Sequence, residues 1–224
     1  MCGRFLLLSP PEALKRLFAY PEQPNFPPRY NIAPTQPIAV VTFARSEPHF
    51  TLMRWGFIPG FVKDEKKFPL VINIRSETAR EKPSFRAAFQ RRRCLIPADG
   101  FYEWQRRDRS KRPYLIRQSG AQPFAFAGLH ETWSSIDGSE IDTAAILTTH
   151  ANGTLAAIHD RAPVIISPAD YARWLDPDTR PDEAEALLKP PPDESLDLTR
   201  VGTAVNKATN EGPELIRQDQ LFND

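Results

Sequence analysis

Apolar and polar residues alternate with a short period along most of this chain, and only a few stretches carry the wider spacing of a helix. Leu14, Leu17 and Phe18 share one helical face behind Ser9, Pro10, Pro11 and Glu12, so a Ser-x-x-Glu capping box predicts a helix to about residue 20. A proline-rich loop follows over residues 22–28. Short strands are predicted over 38–43, 50–55 and 70–74. Helical turns after Ser76 and after Ser84, the second carrying Phe85, Ala88 and Phe89, precede an apolar run at 94–97. Strand patterns then dominate over 101–105, 113–117, 124–133 and 144–149, with turns at 108–111 and 137–138. Ser167 and Pro168 open a helix to about Leu175, and 181–189 reads as helical until Pro190, Pro191 and Pro192 end it. Residues 201–205 suit a last strand. Many strands, few long helices and no regular βαβ alternation predict an α+β fold: a largely antiparallel, barrel-like sheet with peripheral helices. No repeat or linker divides the chain, so residues 1–224 are expected to form a single domain.

Composition excludes several classes. Apolar residues make up 41% and charged residues 25%, which is ordinary globular usage and not that of a disordered chain. The 23 prolines are about twice the usual ~5% and are scattered, which adds loops and short elements, not a low-complexity tract. No apolar run approaches the ~18 residues of a membrane helix, and no secretory signal pattern opens the chain. A soluble protein of the cytoplasm, associated with the nucleoid when DNA is damaged, is the expectation. Cys2 and Cys94 form neither a CxxC pair nor a cluster with histidines, so no structural metal and no cofactor is expected. Net charge is +1, yet residues 75–117 hold thirteen Lys or Arg against five Asp or Glu, while residues 167–224 hold six against thirteen. That asymmetry suits a basic face for an anionic polymer, although a solvated basic loop at 106–112 also accounts for part of it.

Cys2 carries the most chemical information. Removal of Met1 would leave an α-amine and a thiol on one residue, with ordinary pKa values of ~7.7–8.0 and ~8.5, so a usable fraction of each is nucleophilic near neutrality. Such a 1,2-aminothiol condenses with an aldehyde to an imine, which the thiol closes into a thiazolidine; capture, not turnover, is the natural outcome. Gly3 leaves the terminus uncrowded, and Arg4 sets a permanent cation nearby. Glu103 alternates with Tyr102 and Trp104 and points outward if those rings face the core; it then suits proton exchange or is a surface strand glutamate. His159 precedes Asp160, Arg161, Ala162 and Pro163 and is either an acid–base group or a loop histidine. Asn73 and Arg75 end a strand where a capped turn begins, and fit either turn chemistry or the holding of an amine and a phosphate. Phe61, flanked by Gly60 and a lysine-containing loop, suits an exposed wedge between unstacked bases, whereas Trp55 and Cys94 are read as core.

Taken in order, Met1-Cys2-Gly3-Arg4-Phe5, Tyr30-Asn31-Ile32-Ala33-Pro34, Asn73-Ile74-Arg75-Ser76-Glu77-Thr78, Pro97-Ala98-Asp99-Gly100-Phe101-Tyr102-Glu103-Trp104 and His159-Asp160-Arg161-Ala162-Pro163 closely resemble the SOS response-associated peptidase (SRAP) family, whose members process abasic sites and crosslink to DNA. The resemblance extends through Val205, Asn206 and residues 212–216. It implies a lyase-like activity in which Cys2 becomes joined to the ring-opened abasic sugar of single-stranded DNA, shielding the lesion, and a peptidase activity that removes Met1. By the same resemblance, Asn73 and Glu103 support the chemistry of Cys2, and His159 assists sugar opening. Arg4, Arg75, Arg161 and Thr148 match positions that hold the DNA backbone. Pro34 and the turn at Phe61 and Val62 match the wedge at the lesion, where relatives can carry larger aromatic residues than Val62. A monomer acting on a single strand is the default expectation. An N-terminal nucleophile amidotransferase, which also begins with cysteine after methionine, and a non-covalent single-stranded DNA-binding module are the alternatives.

Overall fold

The computed structural model describes residues 2–107 and 110–219. Strands β1 (Phe5–Leu7), β2 (Arg29–Ile32), β3 (Pro37–Ala44), β4 (Glu47–Trp55) and β5 (Asn73–Arg75) alternate with helices α1 (Pro11–Phe18), α2 (Ser76–Ala79) and α3 (Pro83–Arg91). Five longer or central strands follow: β6 (Arg93–Ala98), β7 (Gly100–Arg107), β8 (Ser110–Gln118), β9 (Phe124–Ser134) and β10 (Glu140–His150). The chain continues through α4 (Gly153–Ala156), β11 (Arg161–Pro163), β12 (Ile165–Ile166), α5 (Tyr171–Leu175), α6 (Pro181–Glu185) and β13 (Leu196–Arg200).

The barrel expected from the alternation is present and closed. β4 pairs with β3, β3 with β6, β6 with β9 and β9 with β10, all antiparallel; β10 returns to β4 in parallel and completes a five-stranded ring. The ring strands are covered on both faces, which is why they read as nearly continuous apolar runs: Ile38, Val40, Leu95, Ile96, Phe126, Ala144 and Ile146 are all buried. Gly128 sits where β9 passes β6 closely, and a Cβ there would lie 2.9 Å from Cys94 Sγ. A second sheet, ordered β13-β8-β7-β1-β2, packs beside the ring through Phe5, which meets Trp55 and Phe126 edge-on at centroid distances of 5.1 and 5.8 Å.

Several local expectations are overturned by distant partners. Ser9 does not cap α1: its hydroxyl donates to Asp99 Oδ1 at 2.5 Å and its N–H to Asp99 Oδ2 at 2.7 Å, so Pro10 occupies the N-cap position without a side-chain bond. The strand expected over 70–74 contracts to Asn73–Arg75, because only there does β10 supply a parallel partner; Val71 makes a single bridge to Phe57 and Leu70 is exposed. The last strand lies at Leu196–Arg200, pairing with β8, while Thr203–Asn206 winds into a 3-10 turn. α6 ends at Glu185, before the proline triplet, and residues 168–170 form a 3-10 turn ahead of α5. The β3–β4 hairpin is longer than its composition suggests because Arg45 and Ser46, at φ 50° and 68°, turn without a glycine. Of the turn expected over 108–111, Asp108 and Arg109 lie outside the described residues. No helix among the described residues is long and apolar enough to cross a membrane.

Candidate active site

Three pairings assemble the site. β1 lies between β2 and β7, with Phe5 opposite both Ile32 and Phe101, and the N–H of Tyr102 donates to the carbonyl of Arg4 at 2.9 Å; this places residue 2 beside Glu103. β5 runs parallel to β10, setting Asn73 opposite Ile146 and Arg75 opposite Thr148. β11 lines the other edge of β10, with Pro163 opposite Thr148 and Arg161 opposite His150. Residues separated by more than a hundred positions thus share one end of the barrel.

Cys2 is fully buried there, and Asn73 Nδ2 donates to its carbonyl oxygen at 2.8 Å. Asn73 Oδ1 is itself buried and meets no partner among the described residues. Burial pushes the Cys2 thiol far above the ordinary range, and the negative charge of Glu103 pushes it the same way. Sγ lies 3.8 Å from the carbonyl of Arg4, a weak donor contact. Glu103, expected to face a surface or a cleft on the side opposite Tyr102, lines the cleft while only 4% exposed. The reason is that Tyr102 turns into a second small core with Leu6, Leu115, Val201 and Val205, which leaves Glu103 facing inward toward residue 2. Cys94, the other thiol, is a buried residue of β6, as read from the sequence.

A cleft of about 590 Å³ opens over these groups, lined by Arg4, Glu103, Trp104, Arg106, Lys111, His159 and Asn206. Cys2 lies beneath its wall, not on it. Arg4 is held by Asn31 Oδ1 at 2.8 Å and the carbonyl of Val205 at 3.0 Å, with its guanidinium 6.0 Å from the Trp104 ring centre. His159 follows α4, where its ring is anchored locally: the N–H of Arg161 donates to Nδ1 at 2.9 Å. The Asp160 carboxylate is 2.8 Å from the same nitrogen. A backbone N–H always carries its proton, so in neutral His159 Nδ1 is the acceptor and the ring proton sits on Nε2.

The residues expected to hold DNA divide into two kinds. Arg75 and Phe61 are exposed, Phe61 at 65%. Val62 is half-buried, its carbonyl fixed by Trp133 Nε1 at 2.6 Å, so the turn presenting Phe61 is braced. Pro34 is half-buried ahead of Thr35, whose N–H donates to the carbonyl of Trp55 at 2.8 Å. Arg161, by contrast, is mostly buried and doubly paired to Glu77, at 2.6 and 2.9 Å. Thr148 is completely buried: its hydroxyl donates to the carbonyl of Ile74 at 3.4 Å and accepts from Arg161 at 3.2 Å. Its side chain therefore positions Arg161 and cannot itself meet a backbone phosphate in this structure.

Sequence reasoning assigned no role to two further residues of the site. Asn31, fully buried, both accepts from Arg4 and donates to the carbonyls of Lys207 and Asn210 at 3.1 and 2.9 Å, so it fixes the guanidinium. Asn206 lines the cleft and accepts from Trp104 Nε1 at 2.7 Å. Both lie in motifs already singled out, and an asparagine between Tyr30 and Ile32, as Asn31 is, was the usable signal. Among the described residues no group of three or more His, Cys, Asp or Glu is placed to hold a metal ion.

The chain is similar to known proteins over nearly its whole length. The family model described as SOS response associated peptidase (SRAP) matches residues 1–208. Abasic site processing protein YoqW of Bacillus subtilis is 40% identical over 221 residues, covering 96% of this chain and 99% of its own length. Abasic site processing protein YedK of Escherichia coli is 30% identical over 225 residues, covering 97% of this chain and 99% of its own. Among solved structures, a Bacteroides thetaiotaomicron protein superposes with a TM-score of 0.86 over 97% of this chain and all of that one, at 24% identity, which speaks for the fold alone. With a family model spanning nearly the whole chain and relatives matched end to end, this chain belongs to the SRAP family.

Proposed function

We propose that this chain captures abasic sites in single-stranded DNA covalently, through the amine and thiol of Cys2 once Met1 has been removed. The observation that carries the reading is the 2.8 Å bond from Asn73 to the Cys2 carbonyl, which fixes the backbone of residue 2 against the wall of the cleft that bears Glu103 and His159. The relatives named abasic site processing proteins support the substrate.

An abasic sugar exchanges between a closed hemiacetal and an open aldehyde, and only the aldehyde reacts. His159 donates a hydrogen bond from Nε2–H to the ring oxygen and polarises the C1–O bond as it breaks, while the proton of the C1 hydroxyl passes through water to that oxygen, which leaves as the sugar's C4 hydroxyl. The Cys2 amine then adds to C1. Glu103 takes a proton from the nitrogen and delivers one to the departing hydroxyl, so that water leaves and an imine remains. Last, the thiol adds across the imine, forming the S–C1 bond as its proton passes to nitrogen. One water is lost overall. A neutral thiol suits this order, because Cys2 is kept protonated by burial and by Glu103 until the imine is there to receive it. Single-stranded DNA needs no unpairing to present the lesion, and the exposed ring of Phe61 supplies a surface on which a neighbouring base stacks.

Met1 must leave first, because an acylated nitrogen is an amide and forms no imine. The family description as a peptidase supports removal by the chain itself; a cellular aminopeptidase acting before a small second residue is the other route. The test is a denaturing gel with intact mass, using a single-stranded oligonucleotide with one abasic site beside an undamaged control. The expected product is specific to the abasic strand and has the mass of Met1-free protein plus DNA less one water. A heat-stable adduct formed equally well by Cys2→Ala would sink the reading.

A further inference from the structure

The β7–β8 hairpin carries a feature that the proposed capture step does not use. In its register Trp104 faces Pro113, Gln105 faces Arg112 and Arg106 faces Lys111. Arg106 and Lys111 are therefore a directly opposed pair of like charges, an arrangement that destabilises a two-stranded ribbon. Among the described residues neither cation has a carboxylate partner. Lys111 also stands between two concavities. On one side is the cleft with Arg4, Glu103 and His159; on the other lies a second, of about 430 Å³, lined by residues that include Arg112, Arg200, Gly202, Thr203 and Asp219. Together with Lys111 that second hollow holds three cations against one carboxylate, Asp219, which lies 3.8 Å from Arg200.

We infer that Arg106 and Lys111 form a phosphate saddle which leads the strand flanking the lesion out of the Glu103–His159 cleft and into the second hollow. The inference rests on the proposed binding of single-stranded DNA and deepens it by naming a path for the flanking nucleotides. An anion between the two cations turns their mutual repulsion into a shared attraction, which is what a repeating phosphate chain supplies as it crosses. The hollow beyond continues the positive potential, and Gly202 and the exposed Thr203 hydroxyl leave room and a donor for a sugar-phosphate. Two hollows joined by one lysine suit a polymer more than a single small anion.

The test is non-covalent binding of undamaged single strands of about 5 and about 20 nucleotides, lengths that bracket a one-domain footprint, followed by fluorescence anisotropy across a range of salt. R106Q/K111Q is compared with the parent protein and with R106K/K111R, which keeps both charges. For the long strand, R106Q/K111Q is expected to lose about 1.4 from the slope of log K against log salt, at about 0.7 per phosphate contact on a single strand. R106K/K111R is expected to keep the parent slope, and the short strand to show a smaller difference. Thermal melting of R106Q/K111Q should be no lower than the parent's, because the opposed charges are gone; a lower Tm would mark a structural role instead. A parent-like slope for R106Q/K111Q on the long strand overturns the saddle, as does equal competition by a polyglutamate of similar charge. Adduct formation by the parent on a short abasic strand is measured alongside, so a failure of Cys2 capture registers separately from a failure of the saddle.

Discussion

Asn73 donates its side-chain amide to the backbone carbonyl of Cys2 at 2.8 Å while its own carbonyl oxygen is buried and unpartnered among the described residues. Because the Cα of residue 2 bears the amine directly and the thiol through Cβ, fixing its carbonyl lets one side chain set the direction of two nucleophiles. Asn73→Ala is expected to slow adduct formation by about a hundredfold, the scale of loss when a reacting group is misplaced by about 1 Å. Binding of undamaged single strands should survive. A quenched time course on abasic oligonucleotide gives the rate; a parent-like rate would remove Asn73 from the chemistry.

Arg161 and Glu77 form a two-pronged ion pair at 2.6 and 2.9 Å, so much of the charge expected to hold phosphate is already neutralised. Hydrogen bonding to Arg161 also holds the Glu77 carboxyl below its ordinary range, so it stays ionised. Glu77→Gln is expected to strengthen binding of undamaged single-stranded DNA several-fold at low salt and to steepen its salt dependence. The stability cost should stay within about 1 kcal/mol, since Glu77 is over a third exposed. Unchanged affinity would mean that Arg161 acts only in holding β11 to β10.

Phe61, 65% exposed on a turn braced by Trp133, has little to lose in the folded protein and an aromatic face to offer. Its replacement by alanine should leave the Tm nearly unchanged and weaken single-strand binding by about 1–3 kcal/mol, the range for one base stacked on one ring. Isothermal titration with a short oligonucleotide measures this directly. A matching loss of Tm would assign the residue to packing.

His130 on β9 is held neutral: burial lowers its pKa from 6.5 to about 4, helped by the positive charge of Arg92 and opposed by Asp142. Between those two values the unfolded chain takes up a proton that the folded one refuses, so folding stability falls as pH drops from about 6.5 toward about 4 and the His130 contribution levels off below that. The loss is on the order of 3 kcal/mol at most. Urea unfolding of the parent and of His130→Gln over this window checks the difference. The variant should show a flatter acid limb, with carboxylates accounting for what remains; identical limbs would refute the assignment.

Much of the fold was legible because strand alternation and turn residues are local properties. The barrel strands 38–43, 94–97, 124–133 and 144–149 fall within β3, β6, β9 and β10, and the helices after Ser76 and Ser84 are α2 and α3. Cys94 and Trp55 are core residues and Phe61 is exposed, as their neighbours suggested. The gathering of Cys2, Asn73, Glu103 and His159 at one end was legible only through the family resemblance, since no spacing along the chain announces it.

Sequence by itself determined which residues are available: a strand-rich α+β chain, a cysteine able to become an aminothiol, and a basic middle segment. Tertiary structure decided what each can do. Ser9 gives up the helix cap because Asp99, ninety residues away, is the better acceptor. Glu103 turns inward because Tyr102 has its own core to fill, and Arg161 loses its free charge to Glu77. Thr148 is sealed inside because β10 is paired on both edges, with β5 and β11. Burial, charge pairing and barrel closure all arise between residues far apart in the chain, and a local pattern holds no record of which distant partner wins.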